Sequence, residues 1–397
     1  MQLSVAIALA GDSPRDVRRR STIVGAIAFL TLIDLFGTQA LMPRLIALYG
    51  TDAATMGFAV NASTIGMAVA GLAVAWFSDR IDRKRGLWVS LALLAIPTTL
   101  LAFAGDTTTF LLLRIAQGAL MAAAFTLTLT YLSEACTKTA AASAMAAYIT
   151  GNVASNLFGR LMAASFADFV GVAGSFLAFA VLNLLGATIA YRYIGASRLP
   201  EPAHRRSPLK AWREHLADPK LCAAFGLGFF ILFIFVGVFT YVNLRLVTPE
   251  IGLDPAWLGL VYVVFFPALV TTPYSARLAR HYGARWVFWG ASGVAAGGLL
   301  LSLTANLWAI LAGLVLVGVG TFVAQAAATG YVGRTARRDH AAANGLYLTS
   351  YYVGGLAGAL VLGQTYDAAG WSWTVAALLI ALIFAALLAT AMTEPIE

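Results

Sequence analysis

The sequence places few ionisable side chains inside apolar segments, and Asp34 is the first of them. Apolar residues flank it on both sides, and it lies about 18 Å along a helix from residue 22. A charge inside a bilayer costs at least about 2.5–3.5 kcal/mol, so a carboxyl at that depth is a candidate for function. Burial favours its protonated form, and a nearby cation favours its ionised form. We therefore expect Asp34 to bind and release protons. Contact with a cationic substrate, or a structural pair with an arginine, are the alternatives.

Arg114 is a second charge inside an apolar segment. It lies about 8 Å from one end of its segment, and Asp34 lies about 15 Å from the corresponding end of its own. The difference is within the reach of an arginine side chain, so the two side chains can meet. A role for Arg114 in helix packing alone is the alternative.

A polar stripe follows one face of a third apolar segment, because its members are four residues apart. It consists of Tyr148, Asn152, Asn156 and Arg160. Four polar residues on one face of a membrane helix indicate a cavity, since lipid would leave them unsatisfied. Hydrogen bonding to neighbouring helices, with no ligand, is the alternative.

A shift of 199 residues places Tyr347 opposite Tyr148, and Tyr351 at the level of Asn152. The cavity would then be polar and cationic on one side and aromatic on the other. These features predict an amphipathic ligand whose polar end faces the stripe. Other polar residues in apolar segments rank lower as lining residues, because a lone polar residue more often bonds a neighbouring helix. They are Gln39, Asn61, Asn243, Tyr262 and Gln325.

The chain that must position these residues has 397 residues, of which 60% are apolar and 11% are charged. Soluble domains contain about 25% charged residues, so a soluble enzyme, a disordered chain and a nucleic-acid-binding protein are excluded. A membrane-spanning helix needs about 20 apolar residues. The sequence predicts an all-α membrane protein with twelve transmembrane helices, at 22–44, 55–78, 87–104, 109–132, 139–165, 171–194, 221–247, 255–277, 285–304, 307–332, 340–365 and 370–391.

Charge is distributed unevenly between alternate loops. Most of the 26 Lys and Arg residues lie in the stretches 15–20, 80–85, 192–220, 277–285 and 334–338. The intervening loops carry acidic residues instead. Because basic loops stay on the cytoplasmic side, both termini are predicted to be cytoplasmic.

An internal repeat divides the chain into two halves. Shifts of 199 or 200 residues also align Gly159 with Gly358 and Asp168 with Asp367. The longest polar stretch lies between the halves and contains an amphipathic segment at 209–217. Many secondary transporters build a central site between two such repeats. The predicted domains are a tail at 1–21, a six-helix bundle at 22–194, a linker at 195–220, a second six-helix bundle at 221–391, and a tail at 392–397.

Short motifs add a family resemblance over essentially the whole chain. Residues 75–84 read A-W-F-S-D-R-I-D-R-K, which resembles the G-x-x-x-D-R-x-G-R-[RK] signature of the major facilitator superfamily. Ala75 and Asp82 stand where that family usually has glycine. Residues 277–285 resemble a degenerate second copy, and 114–118 resemble the family's R-x-x-Q-G. Residues 37–43 and 151–161 look like its bacterial twelve-helix efflux-type branch. The resemblance implies two pseudo-symmetric bundles, a central cavity, alternating access, and proton coupling at Arg114.

The charged residues of the loop at 78–85 also indicate a function by their chemistry alone. Asp79, beside Arg80 and Arg83, can bridge to a neighbouring helix and hold one side of the protein closed. Charge-assisted bonds are worth about 1–3 kcal/mol where partly buried, which suits a latch that must open. A solvated charge run that only sets topology is the alternative. Asp82 is expected to weaken the latch, because glycine relieves a tight turn.

These observations predict a proton-coupled efflux transporter for a small amphipathic molecule, not an enzyme. Proton-coupled uptake or facilitated transport of a polar or anionic metabolite is the alternative. The sequence contains no Gly-Lys dipeptide, so a Walker A loop is excluded, and no metal or nucleophile–base motif was found. No cofactor is expected. The expected partners are the substrate, protons and lipid, and the expected form is a monomer in the bacterial inner membrane.

Overall fold

The computed structural model describes residues 14–77, 81–135, 138–195, 208–254, 257–336 and 340–393. These residues form helices joined by short turns, and no strand occurs among them. The first half contains α1 (Pro14–Ala40), α2 (Met42–Tyr49), α3 (Ala53–Asn61), α4 (Ser63–Phe77), α5 (Arg83–Leu101), α6 (Thr107–Ala135) and α7 (Lys138–Tyr193). The linker contains α8 (Pro208–Leu216). The second half contains α9 (Pro219–Leu246), α10 (Leu258–Val261), α11 (Phe266–Tyr282), α12 (Ala284–Leu301), α13 (Leu307–Thr335) and α14 (His340–Leu388).

Among the described residues, eight helices are long and apolar enough to cross a membrane. Two of these are about twice the length that a crossing requires, and each is broken at a glycine. Gly171 interrupts α7 with φ 73° and ψ 178°, and Gly370 interrupts α14 with φ 75° and ψ −170°. Only glycine adopts this backbone region without strain. Each broken helix therefore contains two predicted segments, and the count of twelve stays a prediction that these breaks support.

Several predicted segments differ from the observed helices in detail. The first begins earlier, at Pro14, and its end forms the separate helix α2, which has Pro43 in its first turn. The second predicted segment is divided at Ala62 into α3 and α4. The eighth predicted segment contains three elements in succession: α10, a 3₁₀ turn at Tyr262–Phe265, and α11. The segment predicted at 209–217 as an amphipathic helix forms α8 (Pro208–Leu216).

The repeat is visible in how the helices pack. Helix α1 packs along α7, and α9 packs along α14. Gly159 approaches the Ile33 carbonyl so closely that no Cβ would fit, and Gly358 approaches the Phe233 carbonyl in the same way. The shifts of 199 and 200 residues relate these two contacts, so the same helix packing occurs in both halves.

The two halves meet along α3 and α4, which pack against α14, and along α7, which contacts α10, the 3₁₀ turn and α11. At one end of this interface the Ala54 N–H donates to the Asp367 carboxylate over 2.8 Å. Asp52 caps α3 beside this contact, and donation from the Thr55 N–H and hydroxyl lowers the pKa of its carboxyl. Gly57 packs so tightly that a Cβ would lie 2.8 Å from the Tyr241 Cζ. The halves are therefore in close contact at the end that the sequence places outside.

Candidate functional site

Asp34 lies at the centre of a polar cluster inside the first half. Its Oδ2 accepts hydrogen bonds from Gln117 Nε2 at 3.0 Å, from Thr98 Oγ1 at 3.2 Å and from Asn183 Nδ2 at 3.2 Å. These three donors lie on α6, α5 and the second part of α7, and all four side chains are fully buried. The other carboxylate oxygen, Oδ1, is buried and has no hydrogen-bond partner. One oxygen thus holds the carboxyl in place while the other is free to take a proton.

Arg114 does not form the direct contact with Asp34 that their depths suggested. Its guanidinium donates to the Val60 carbonyl at 2.8 and 3.0 Å, to Ser63 Oγ at 3.1 Å and to Gln117 Oε1 at 2.6 Å. Gln117 therefore links the two charges, since its amide oxygen accepts from Arg114 and its nitrogen donates to Asp34. Because the Val60 carbonyl lies at the α3–α4 junction, Arg114 is anchored to backbone in the first half, away from the stripe on α7.

Three members of this cluster were missed as site residues by sequence reasoning: Thr98, Gln117 and Asn183. Gln117 could have been found, because it belongs to the R-x-x-Q-G motif that contains Arg114. Thr98 and Asn183 belong to no such motif. Each is a lone polar residue in an apolar helix, and the sequence does not indicate which neighbouring helix its side chain faces. Their roles depend on how α1, α5 and α7 are arranged around Asp34.

Arg160 and Gln39 form a second polar group, between the two halves. The Arg160 guanidinium donates to Gln39 Oε1, and its Nε is buried without a partner. Its Cζ lies within about 6 Å of five aromatic ring centroids, the distance range of cation–π attraction. These rings are Tyr262 (4.5 Å), Phe265 (5.2 Å), Phe239 (5.4 Å), Phe36 (5.7 Å) and Phe235 (5.8 Å). Four of the five belong to the second half, so Arg160 joins the halves.

Two further hydrogen-bond chains cross between the halves at this level. Gln39 Nε2 donates to Asn61 Oδ1 at 2.7 Å, and Asn61 Nδ2 donates to Thr240 Oγ1 at 3.2 Å. The Tyr262 hydroxyl donates to Asn243 Oδ1 at 2.5 Å, and Asn243 Nδ2 donates to the Gln39 carbonyl at 3.3 Å. Four of the lower-ranked polar residues therefore bind one another across the interface.

Each of the remaining stripe residues on α7 has one buried polar atom without a hydrogen bond. The Tyr148 hydroxyl and the amide oxygens of Asn152 and Asn156 are buried and accept or donate no hydrogen bond. With Arg160 Nε, every member of the predicted stripe leaves one buried polar atom unpaired. Native structures satisfy most buried polar atoms, so a row of exceptions on one helix face points to a ligand or water site. The cavity beside the stripe stays a prediction, and this row of unpaired atoms supports it.

Predicted residues of the second half also come together. The Tyr347 and Tyr351 rings stack with centroids 6.3 Å apart, and Tyr351 meets Tyr352 edge-on at 5.5 Å. Thr329 Oγ1 lies 3.3 Å from the Tyr347 hydroxyl, and Gln325 lies near the Tyr351 hydroxyl. The aromatic side of the predicted site is thus a tyrosine cluster on α14, supported by α13.

The proposed latch is described only in part. Asp79 and Arg80 lie outside the described residues. Arg83 is buried and donates to the Ile81 carbonyl at 2.9 Å. Asp82 has φ −59°, caps α5, and accepts from the Arg85 N–H at 2.7 Å. This backbone is open to any residue, so glycine is not required there, and the expected weakening of the turn by Asp82 does not follow.

Two packed helical halves, with one buried polar centre inside the first half and another between the halves, are typical of a multi-pass membrane transporter. The model of the Major Facilitator Superfamily matches residues 24–265 and 240–396. The chain therefore belongs to the Major Facilitator Superfamily, and it is a transporter, not an enzyme.

Relatives and solved structures agree with this assignment. The chain is 28% identical over 362 residues to the inner membrane transport protein YnfM of Escherichia coli, covering 91% of this chain and 87% of that protein. It is 25% identical over 376 residues to the MFS-type transporter YybF of Bacillus subtilis, covering 93% of each. Two inward-facing structures of a bacterial homologue of the human lysosomal transporter Spinster are similar in fold. The occupied one has a TM-score of 0.72 at 13% identity, over 94% of this chain and 96% of that one. The unoccupied one has a TM-score of 0.73 at 16% identity, over 96% and 98%.

Proposed function

We propose that this chain is a secondary active transporter that works by alternating access and exports a small amphipathic molecule in exchange for protons. The observation that carries the proposal is Asp34, a fully buried carboxyl with one oxygen bound by three donors and the other unpaired. A carboxyl at this depth is costly unless it has a function. Its second oxygen supplies a place for one proton, and Gln117 connects it to Arg114 and so to α3 and α4.

The substrate class follows from the second polar centre. Unpaired polar atoms on α7 would bind the polar end of a ligand, and the tyrosine cluster on α14 would pack against its apolar part. Ligand sites combine mostly apolar walls with a few placed polar groups in this way. Asp34 lies in a different set of contacts, so proton and substrate are expected to occupy separate sites.

The membrane setting is proposed from charge and from one relative. The loop charges favour cytoplasmic termini, and the Escherichia coli relative is named as an inner membrane transport protein. We therefore place the chain in a bacterial inner membrane, as a monomer with both termini in the cytoplasm. The contacts around Asp367, Gly57 and Arg160 would then close the outer side, which corresponds to an inward-facing state.

Proton coupling is tested in proteoliposomes that carry an imposed pH gradient and a pH-sensitive dye. A panel of lipophilic cations, amphipathic anions and neutral compounds is added, and proton movement is recorded. Asp34→Asn is expected to abolish substrate-driven proton movement and to leave binding measured by thermal shift intact. Asp52→Asn is the matched control, because Asn caps a helix as well as Asp does and the site is exposed. Intact coupling in Asp34→Asn would refute the proton-binding role.

Uptake of an anionic metabolite is the second candidate, and the unpaired Nε of Arg160 is the observation that favours it. The two candidates predict different behaviour of Arg160→Gln. If anions are the substrates, this variant should weaken anion binding by at least about tenfold, which corresponds to 1.4 kcal/mol, and change the binding of cations little. Equal losses for anions and cations would assign Arg160 to closure of the interface.

A further inference from the structure

An apolar groove lies outside both polar centres, on the surface of the second half between α11, α12 and α13. Its volume is about 730 Å³, within the range of about 300–1,000 Å³ that is common for small-ligand sites. Its walls include Tyr282, Trp286, Gly290, Val294 and Val323. Trp286 and Tyr282 are about 60% exposed, and a Cβ at Gly290 would meet open space. The groove therefore opens sideways, toward lipid.

The end of the groove at the α11–α12 turn is strongly basic. The segment 277–285, which resembles a second copy of the latch motif, contains no acidic residue. Among the described residues, no acidic side chain pairs with Arg277 or Arg285. The Arg285 guanidinium lies over the Trp286 and Trp289 rings, at 5.7 and 5.4 Å, and Arg277 lies over Tyr274 at 5.8 Å. Aromatic rings therefore hold both cations in place, and within the part of the chain that the structure describes no carboxylate neutralises them.

The geometry also connects the charges to the groove. His281 and Trp286 line it, Arg277 lies one helical turn before His281, and Arg285 directly precedes Trp286. An apolar channel that ends in cations and interfacial aromatic residues has the two-part character of a phospholipid.

We propose that this groove binds an anionic phospholipid from the leaflet next to the basic loops. One acyl chain would lie along α12 across Gly290, and the phosphate would face Arg277, His281 and Arg285. Charge complementarity selects an anionic headgroup, because a zwitterionic lipid would bring a cation of its own to the segment 277–285, which contains arginine and histidine and no acidic residue. The second copy of the motif thus binds lipid, whereas the first copy carries the acid of the proposed latch. This inference does not depend on the direction of transport or on proton coupling.

The test uses the purified full-length protein in detergent, with thermal shift and native mass spectrometry as readouts. Phosphatidylglycerol, phosphatidylcholine with the same acyl chains, and inorganic phosphate are added separately. The wild-type protein should retain phosphatidylglycerol at least about tenfold better than phosphatidylcholine, a difference of 1.4 kcal/mol. The double variant Arg277→Gln/Arg285→Gln should lose this preference. Arg192→Gln, an exposed cation on a different helix, is the matched control and should keep it.

A second variant separates the groove from the charges. Gly290→Leu fills the groove with a side chain that has room on the helix surface, so it should reduce retention of both lipids and leave the cations in place. Retained phosphatidylglycerol preference in the double arginine variant would overturn the proposal. So would unchanged lipid retention in Gly290→Leu. Equal stabilisation by inorganic phosphate alone would show an anion site that needs no acyl chain, and would also overturn it.

Discussion

At the scale of single residues, the Asp34 carboxylate is held through one oxygen only. Thr98, Gln117 and Asn183 all donate to Oδ2, and Oδ1 has no partner. Hydrogen bonds to a charged group are worth about 1.5–3 kcal/mol, and they favour the ionised form. The three donors therefore set the pH at which Asp34 would exchange its proton, and each one can be removed separately.

Thr98→Val removes one donor and keeps the shape of the side chain. Because the lost bond favours the ionised carboxyl, the pH midpoint of substrate-driven proton movement should move upward, by about one unit for each 1.4 kcal/mol that the bond contributed. Transport in proteoliposomes across a pH series measures this midpoint. Thr99→Val is the matched control, since Thr99 bonds the Ala95 carbonyl and does not contact Asp34. A midpoint that is unchanged in Thr98→Val would contradict the role of these donors.

The polar centres show which residue-scale features a sequence can reveal. Asp34, Arg114 and Arg160 could be predicted as candidate site residues, because a charged side chain in a membrane segment has a high free-energy cost and is rare without a function. The aromatic rings around Arg160 could not, because aromatic residues are common in membrane helices and these come mostly from the other half of the chain. The bridging role of Gln117 could not be predicted either, because only the arrangement of the helices shows that Arg114 does not contact Asp34 directly.

At the scale of helices, the breaks in α7 and α14 are the features that would connect successive predicted crossings. The sequence indicated both, since predicted segments ended at 165 and 365 and resumed at 171 and 370. What it missed is that the backbone remains helical up to the break. Gly171 and Gly370 each change the chain direction through one residue with positive φ, so no loop is needed.

Gly171→Ala tests the requirement for positive φ. A residue with a Cβ in this conformation costs about 1–3 kcal/mol, so the variant should unfold at lower temperature. Thermal unfolding of the purified protein measures this. Gly293→Ala is the matched control: its Cβ would meet open space in a regular helix, and alanine there should preserve or slightly raise stability. Equal effects of the two substitutions would show that the break tolerates ordinary residues.

At the scale of the whole molecule, the two halves are tied together at one end of their interface. The ties are the Ala54–Asp367 hydrogen bond, the contact of Gly57 with Tyr241, and the Arg160 group with its rings. Alternating access requires these contacts to break while the packing within each half persists. The Gly159–Ile33 and Gly358–Phe233 contacts lie within the halves and leave no room for sliding. The closed end is therefore expected to open as two rigid units part.

A disulfide across the interface tests this motion directly. A Cβ at Gly363 would lie 3.0 Å from the Ala54 Cα and against the Tyr241 hydroxyl. Ala54→Cys/Gly363→Cys, made with Tyr241→Phe to give the new side chain room and with Cys136 and Cys222 replaced by serine, should therefore cross-link under oxidation. The bond should stop transport in proteoliposomes, and a reductant should restore transport.

Gly25→Cys/Ala147→Cys is the matched control, because these positions face each other within the first half with Cβ atoms 3.9 Å apart, which suits a disulfide. That bond should leave transport intact. Full transport by the oxidised Ala54→Cys/Gly363→Cys variant would mean that this end of the interface does not open during the cycle.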